Sequence, residues 1–235
     1  MTQDRITYGD REVLYDVAFS DRATLEISVL PDCSVAVKSP RDTEIDRIKK
    51  QVKSRARWIL KQQDYFQKFQ SKTSPHQYIS GETHLYLGRQ YRLKILESNL
   101  PSVKLKGGYI QIQIYDPNNR DLIRQLLKDW YKSRAEVKFS ERLTICCDRF
   151  QKYGFSCPVL QIRHLSKRWG SLTLKGKIIL NQDLIRADSG CIDYVITHEL
   201  CHLKHPNHSK KFYSFLSQMM ADWKSRKQRL ERLLI

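Results

Sequence analysis

The sequence has no long apolar run. None of its hydrophobic stretches approaches the roughly 20 residues that a membrane-spanning helix requires, so no membrane-embedded segment is expected. The opening Met1-Thr-Gln-Asp-Arg5 lacks the apolar core of a secretory signal. Six cysteines, at 33, 146, 147, 157, 191 and 201, show neither the paired spacing of a zinc ribbon nor that of a disulfide framework. Together these absences predict a cytoplasmic protein with reduced thiols. No internal repeat or low-complexity tract is visible. No recognised nucleic-acid-binding motif occurs.

Acidic residues are scarce: 25 Asp and Glu stand against 42 Lys and Arg, a net charge of +17. The imbalance is uneven, with +5 in residues 1–117 and +12 in residues 118–235. A charge of this size attracts nucleic acid or an acidic protein partner, and it also keeps solvated helix faces soluble. A nucleic-acid or acidic partner for the basic C-terminal half is an expectation from charge alone.

What is present is enough for a real core: 235 residues with 40% hydrophobic content support one large domain or two small ones. Alternating patterns predict strands over 13–19, 25–30 and 34–38, forming a small antiparallel meander. Ile45, Ile48, Val52, Ala56 and Ile59 then recur at helical spacing, predicting a helix to about Ser71 before the Ser74-Pro75 break. More strands are expected over 84–87, 90–95, 102–105 and 109–114, with turns at Gly88-Arg89 and Gly107-Gly108. His76 and His84 stand alone here and receive no role.

Asp116-Pro-Asn-Asn119 opens a second long helix, expected to reach Tyr153, with Leu122, Leu126, Trp130, Val137, Leu143 and Cys147 as its buried stripe. Strands follow at 159–163 and 177–181, around the segment 167–174. The expected class is α+β. Residues 1–117 form an antiparallel β-rich region with one long helix, and 118–235 form a catalytic region in which a helix packs on a small sheet.

That helix carries the chemistry. Within Tyr194-Val-Ile-Thr-His-Glu-Leu-Cys-His-Leu-Lys-His-Pro-Asn-His208, His198 and His202 stand at i and i+4 and project from one helix face, within reach of one ion. Glu199 lies beside them, where a carboxylate can act as general base. Ile192, Val195, Ile196, Leu200 and Leu203 mark the helix as buried. A buried helix with two histidines and a glutamate must compensate their desolvation, and metal ligation does so. Cys201, three residues past His198, reads as packing. His205 and His208 compete for the third ligand position. On a continued helix His205 would lie roughly 10 Å from His198 along the axis. Pro206 instead ends the helix near Lys204 and lets the chain fold back, which favours His208. The metzincin proteases have the same spacing, with glycine where this chain has His205.

The chain resembles the YgjP-like metallopeptidases, relatives of the zincin-type proteases. The carrying residues are Arg168-Trp-Gly-Ser171, Ile179-Leu-Asn181, Tyr194-Val-x-x-His-Glu-Leu-x-His202, Asn207-His-Ser209 and the earlier Gly81-Glu-x-x-x-Tyr-Leu-Gly88. The resemblance implies a zincin-like catalytic fold, Zn2+ bound by His198, His202 and His208, Glu199 as catalytic base, and a polypeptide substrate. One departure stands out: the family usually reads Trp-Gly-Ser-Cys-Ser, where this chain has Leu172-Thr173. The residues leave three points open. The oxyanion partner could be His205, Arg168 or Tyr213. The strand at 177–181 is either a sheet edge that receives extended substrate or a core strand. Beside peptide hydrolysis stand two alternatives, hydrolysis of a non-peptide amide and a nucleic-acid-associated protein with a non-catalytic zinc site.

Overall fold

The computed structural model describes residues 2–21, 24–30, 32–69, 76–165, 168–173 and 175–233. The expected helix end near Ser71 and the Ser74-Pro75 break lie outside the described residues, as do Pro31, Lys167 and Leu174. The architecture is α+β. Its contacts gather the described residues up to 69 into one unit and those from 76 onward into another. The division therefore falls well before the boundary expected at 117/118. The reason is packing: Leu93, Ile110, Ile112 and Ile114 share one apolar core with the helix that follows them.

In the first unit, β1 (Thr2–Tyr8), β2 (Arg11–Ser20), β3 (Glu26–Val29) and β4 (Val35–Pro40) precede α1 (Ile45–Phe69). The sheet order is β1-β2-β4-β3, with β2 and β4 parallel. It is a mixed sheet, not the antiparallel meander expected. Thr2–Tyr8 is mostly polar, so the period-2 signal missed β1, yet it pairs along its whole length with β2. Val35 and Val37 of β4 alternate inward and bury against Ile48, Val52, Ala56 and Ile59, as the helical spacing predicted.

The second unit opens with β5 (Thr83–Tyr86), β6 (Arg89–Glu97), β7 (Ser102–Lys106) and β8 (Tyr109–Ile114), followed by α2 (Arg120–Phe150). Its order is β5-β6-β8-β7, with β6 and β8 parallel. This is the topology of the first sheet again, followed again by a long helix. The chain thus contains a ββββα repeat that the sequence does not display. Alternation and register are kept while residue identities drift: Val35 and Val37 correspond to Ile110 and Ile112.

Asn119 caps α2, its side chain accepting from the Leu122 N–H at 3.1 Å. The buried face of α2 runs through Ile123, Leu127, Trp130, Tyr131, Ala135, Phe139, Leu143 and Cys146. Of the expected stripe, Trp130, Leu143 and Cys147 are buried and Leu126 is half-buried, whereas Leu122 and Val137 are exposed. Leu122-Ile123 and Leu126-Leu127 offer apolar residues at both registers, so periodicity alone could not choose.

A three-stranded sheet of order β10-β11-β9 follows, from β9 (Val159–Arg163), β10 (Gly170–Leu172) and β11 (Lys177–Asn181). The last helices are α3 (Ser189–Cys201), α4 (Lys210–Met219) and α5 (Trp223–Leu233). Helices α4 and α5 are separated at Met220, whose backbone is extended. Cys147 and Cys157 form a disulfide, against the expectation that all six thiols are reduced. Their separation of ten residues is no framework signature. The turn through Gly154 brings them together. No helix among the described residues is long and apolar enough to cross a membrane.

Candidate metal centre

Helix α3 is held in place by its first two turns. Asp188 is the N-cap, its carboxylate accepting from the Cys191 N–H at 3.0 Å and pairing with Arg229 of α5 at 2.8 Å. One turn on, Asp193 is buried and accepts two hydrogen bonds from Arg142 of α2, at 2.7 and 2.5 Å. Arg226 of α5 stands 3.7 Å away. The Tyr86-Leu87-Gly88 segment closes on the same end. The Leu87 and Gly88 N–H groups donate to Ile185 and Arg186 carbonyls, and a β-carbon at Gly88 would meet Asp188 Cβ at 2.8 Å. The residues Asp193 and Arg142 carry no motif signal; only their pairing across 51 positions reveals them.

Helix α3 ends at Cys201 with His202 as its C-cap, slightly before the Lys204 expected. The His205 N–H turns back to the Cys201 carbonyl at 3.0 Å, and Pro206 and Asn207 carry the chain round. Ser209 then caps α4, accepting from the Phe212 N–H. This reversal lays His208 on α3. His208 Nε2 and His198 Nε2 are 2.9 Å apart, and one donor atom from each of His198, His202 and His208 lies within 4.8 Å of the others. His202 Nδ1 lies 3.0 Å from the His205 carbonyl oxygen; donating there leaves the lone pair on Nε2. His205 places its ring against Phe215 instead, outside the group. Phe212 packs against all three grouped rings, with centroids 4.6 to 5.0 Å away.

Glu199 is buried on the neighbouring face of α3. Burial pushes its carboxyl up to about 7, partly offset by a hydrogen bond from the Leu172 N–H and by the charge of Arg168. Because a main-chain N–H makes this contact, the departure from the family's cysteine at 172 leaves it intact. Burial also pushes the His198 imidazole down to about 3, with the facing His208 and His202 adding to the effect. A neutral His198 keeps a lone pair available.

Strand β10 brings Leu172 and Arg168 here, and Asn181 holds its approach. The buried Asn181 side chain donates to the Leu165 and Arg168 carbonyls at 2.8 and 3.1 Å, and its own N–H donates to the Trp169 carbonyl. Two of the family's motif blocks are therefore two halves of one support. Tyr213 stacks beside His208, so Tyr213 and Arg168 border the group while His205 turns away. Strand β11 lies centrally between β10 and β9, which decides between the two readings of residues 177–181 in favour of a core strand.

The donors fit a metal ion. Two nitrogens on one tetrahedral zinc stand about 3.3 Å apart, close to the 2.9 Å found between His198 and His208. Three imidazoles on an apolar floor form a nitrogen-only donor set, as zinc and its neighbours prefer. One feature is unusual: His198 Nδ1 is buried without a hydrogen-bond partner among the described residues.

Residues 23–233 match a family described as YgjP-like, metallopeptidase domain. The chain belongs to this family. Membership makes it a metal-dependent peptidase. The crystal structure of the metallopeptidase zymogen of Methanocaldococcus jannaschii jannalysin is similar at 22% identity and a TM-score of 0.35, covering 39% of this chain and 95% of that one. No curated protein matches this chain.

Proposed function

We propose that this YgjP-like peptidase is a zinc enzyme, with His198, His202 and His208 as ligands and Glu199 as general base in peptide-bond hydrolysis. The convergence of three imidazoles beside one buried carboxylate carries this reading. A zinc ion held there would supply an acidified water and a Lewis acid for the scissile carbonyl. Glu199 takes the proton of the attacking water and delivers it to the leaving amine. Arg168 favours the ionised form of Glu199, and Tyr213 offers a hydroxyl for the developing oxyanion.

Strand β10 has a single strand neighbour among the described residues and packs on α3 at Glu199. It is the edge on which an extended polypeptide would add by main-chain hydrogen bonds. The nucleic-acid or acidic partner rests on charge alone. The test is cleavage of an unfolded polypeptide, abolished by a chelator and restored by zinc. Chelator-resistant cleavage would contradict the proposal.

A further inference from the structure

His76, Glu82 and His84, which have no role in the centre above, come together where the chain enters β5. One donor atom from each lies within 4.8 Å of the other two. His76 Nδ1 contacts Glu82 Oε1, and the His76 and His84 rings stack with centroids 4.4 Å apart. We propose that these three residues form a second divalent-cation site, selective for zinc-like ions, which clips residues 76–84 together.

His84 carries the argument. It points inward from β5 and is 2% exposed. The register places His84 opposite Tyr91 as Ile6 lies opposite Val13, so Ile6 is its counterpart in the first repeat. An aliphatic side chain fills that place in one copy, and a histidine fills it in the other. Burying an imidazole costs free energy unless its nitrogens find partners. His84 Nε2 makes no hydrogen bond among the described residues. It lies 3.6 Å from Glu82 Oε2, outside good hydrogen-bond range but near the spacing of two ligands on one ion.

Glu82 is already oriented. Its carboxylate accepts the N–H of Gln77 at 3.2 Å, of Tyr78 at 2.6 Å and of Ile79 at 3.4 Å. Those bonds hold the turn and aim the carboxylate before any ion arrives, which lowers the cost of binding. A loop-bracing role explains Glu82 and the contact to His76, but it leaves a buried histidine nitrogen unexplained. Two imidazoles and one carboxylate suit zinc and its neighbours, and supply too little oxygen for calcium or magnesium. Arg186, whose charge reaches His84, is itself paired with Asp183 at 3.4 Å. Three protein donors leave room for water, so the ion should exchange.

The test is zinc and cobalt stoichiometry in the full chain by calorimetric titration and metal analysis. Wild type should bind two equivalents, and His76→Ala, a change at an exposed position, should bind one. A His198→Ala/His202→Ala variant should retain one equivalent that raises its melting temperature. That equivalent should vanish when His76→Ala or His84→Leu is added. His84→Leu restores an aliphatic residue, so a folded variant is expected even if the polar change is disruptive. The proposal is overturned if the His198→Ala/His202→Ala variant binds no equivalent, or if His76→Ala and His84→Leu leave the stoichiometry unchanged. Because the double variant lacks the first centre, failure of the zinc-peptidase reading would show separately.

Discussion

Gly170 lies directly against Glu199. A β-carbon at Gly170 would stand 3.0 Å from both Cγ and Oε1 of Glu199 and 2.9 Å from Val195 Cγ1. Strand β10 can approach α3 this closely because Gly170 has no side chain, and the approach lets the Leu172 N–H reach the Glu199 carboxylate. Trp169-Gly170-Ser171 thus bears on the carboxylate of Glu199, the proposed general base, through backbone geometry.

Gly170→Ala should therefore displace Glu199 or β10 by several tenths of an ångström. Small misplacements of a base are costly, so kcat/KM should fall about 10- to 100-fold while zinc content stays at the wild-type level. Steady-state kinetics beside metal analysis checks this. An unchanged kcat/KM would mean that the close approach does not govern the base.

The buried Asp193 anchors α3 to α2 through the paired hydrogen bonds from Arg142. Asp193→Ala leaves a partly buried guanidinium without its main partner, so stability should fall by roughly 3 kcal/mol. Denaturant titration measures it. Asp193→Asn, which keeps the shape and one acceptor, should lose less.

Glu199 makes metal-free stability depend on pH. Its folded pKa, about 7, is raised above the ordinary 4.5 by burial. Between these values the folded state holds a proton that the unfolded chain has released, so stability falls as pH rises from about 4.5 through 7. Glu199→Gln removes this dependence. In the absence of metal the variant should match wild type near pH 4.5 and exceed it at pH 8 by roughly 1–3 kcal/mol. Melting curves of both proteins at the two pH values check the sign.

Much of the centre was legible in the sequence because its logic is local. His198, Glu199 and His202 lie within five residues on one helix, and Pro206 marks where the chain must turn back toward His208. The supports were less legible. Asn181 and Arg168 appeared as motif residues without a reason, and the reason is a contact across 13 positions. Asp193 with Arg142, and Cys147 with Cys157, depend on where distant segments land. The ββββα repeat was hidden because strand packing preserves alternation and register rather than identity. Ile6 and His84 illustrate how far identities can drift. The edge strand stayed open for a similar reason: β11 is the longer and more apolar of the pair, so its sequence suits an edge or a core strand, yet the short β10 is the edge beside Glu199.

The most direct test is Glu199→Gln, assayed for zinc content and for hydrolysis of an unfolded polypeptide in parallel with wild type. The three imidazoles are untouched, so zinc should remain at wild-type occupancy, while kcat should fall by about three orders of magnitude or more with loss of the base. Retained zinc with undiminished hydrolysis would contradict the role assigned to Glu199.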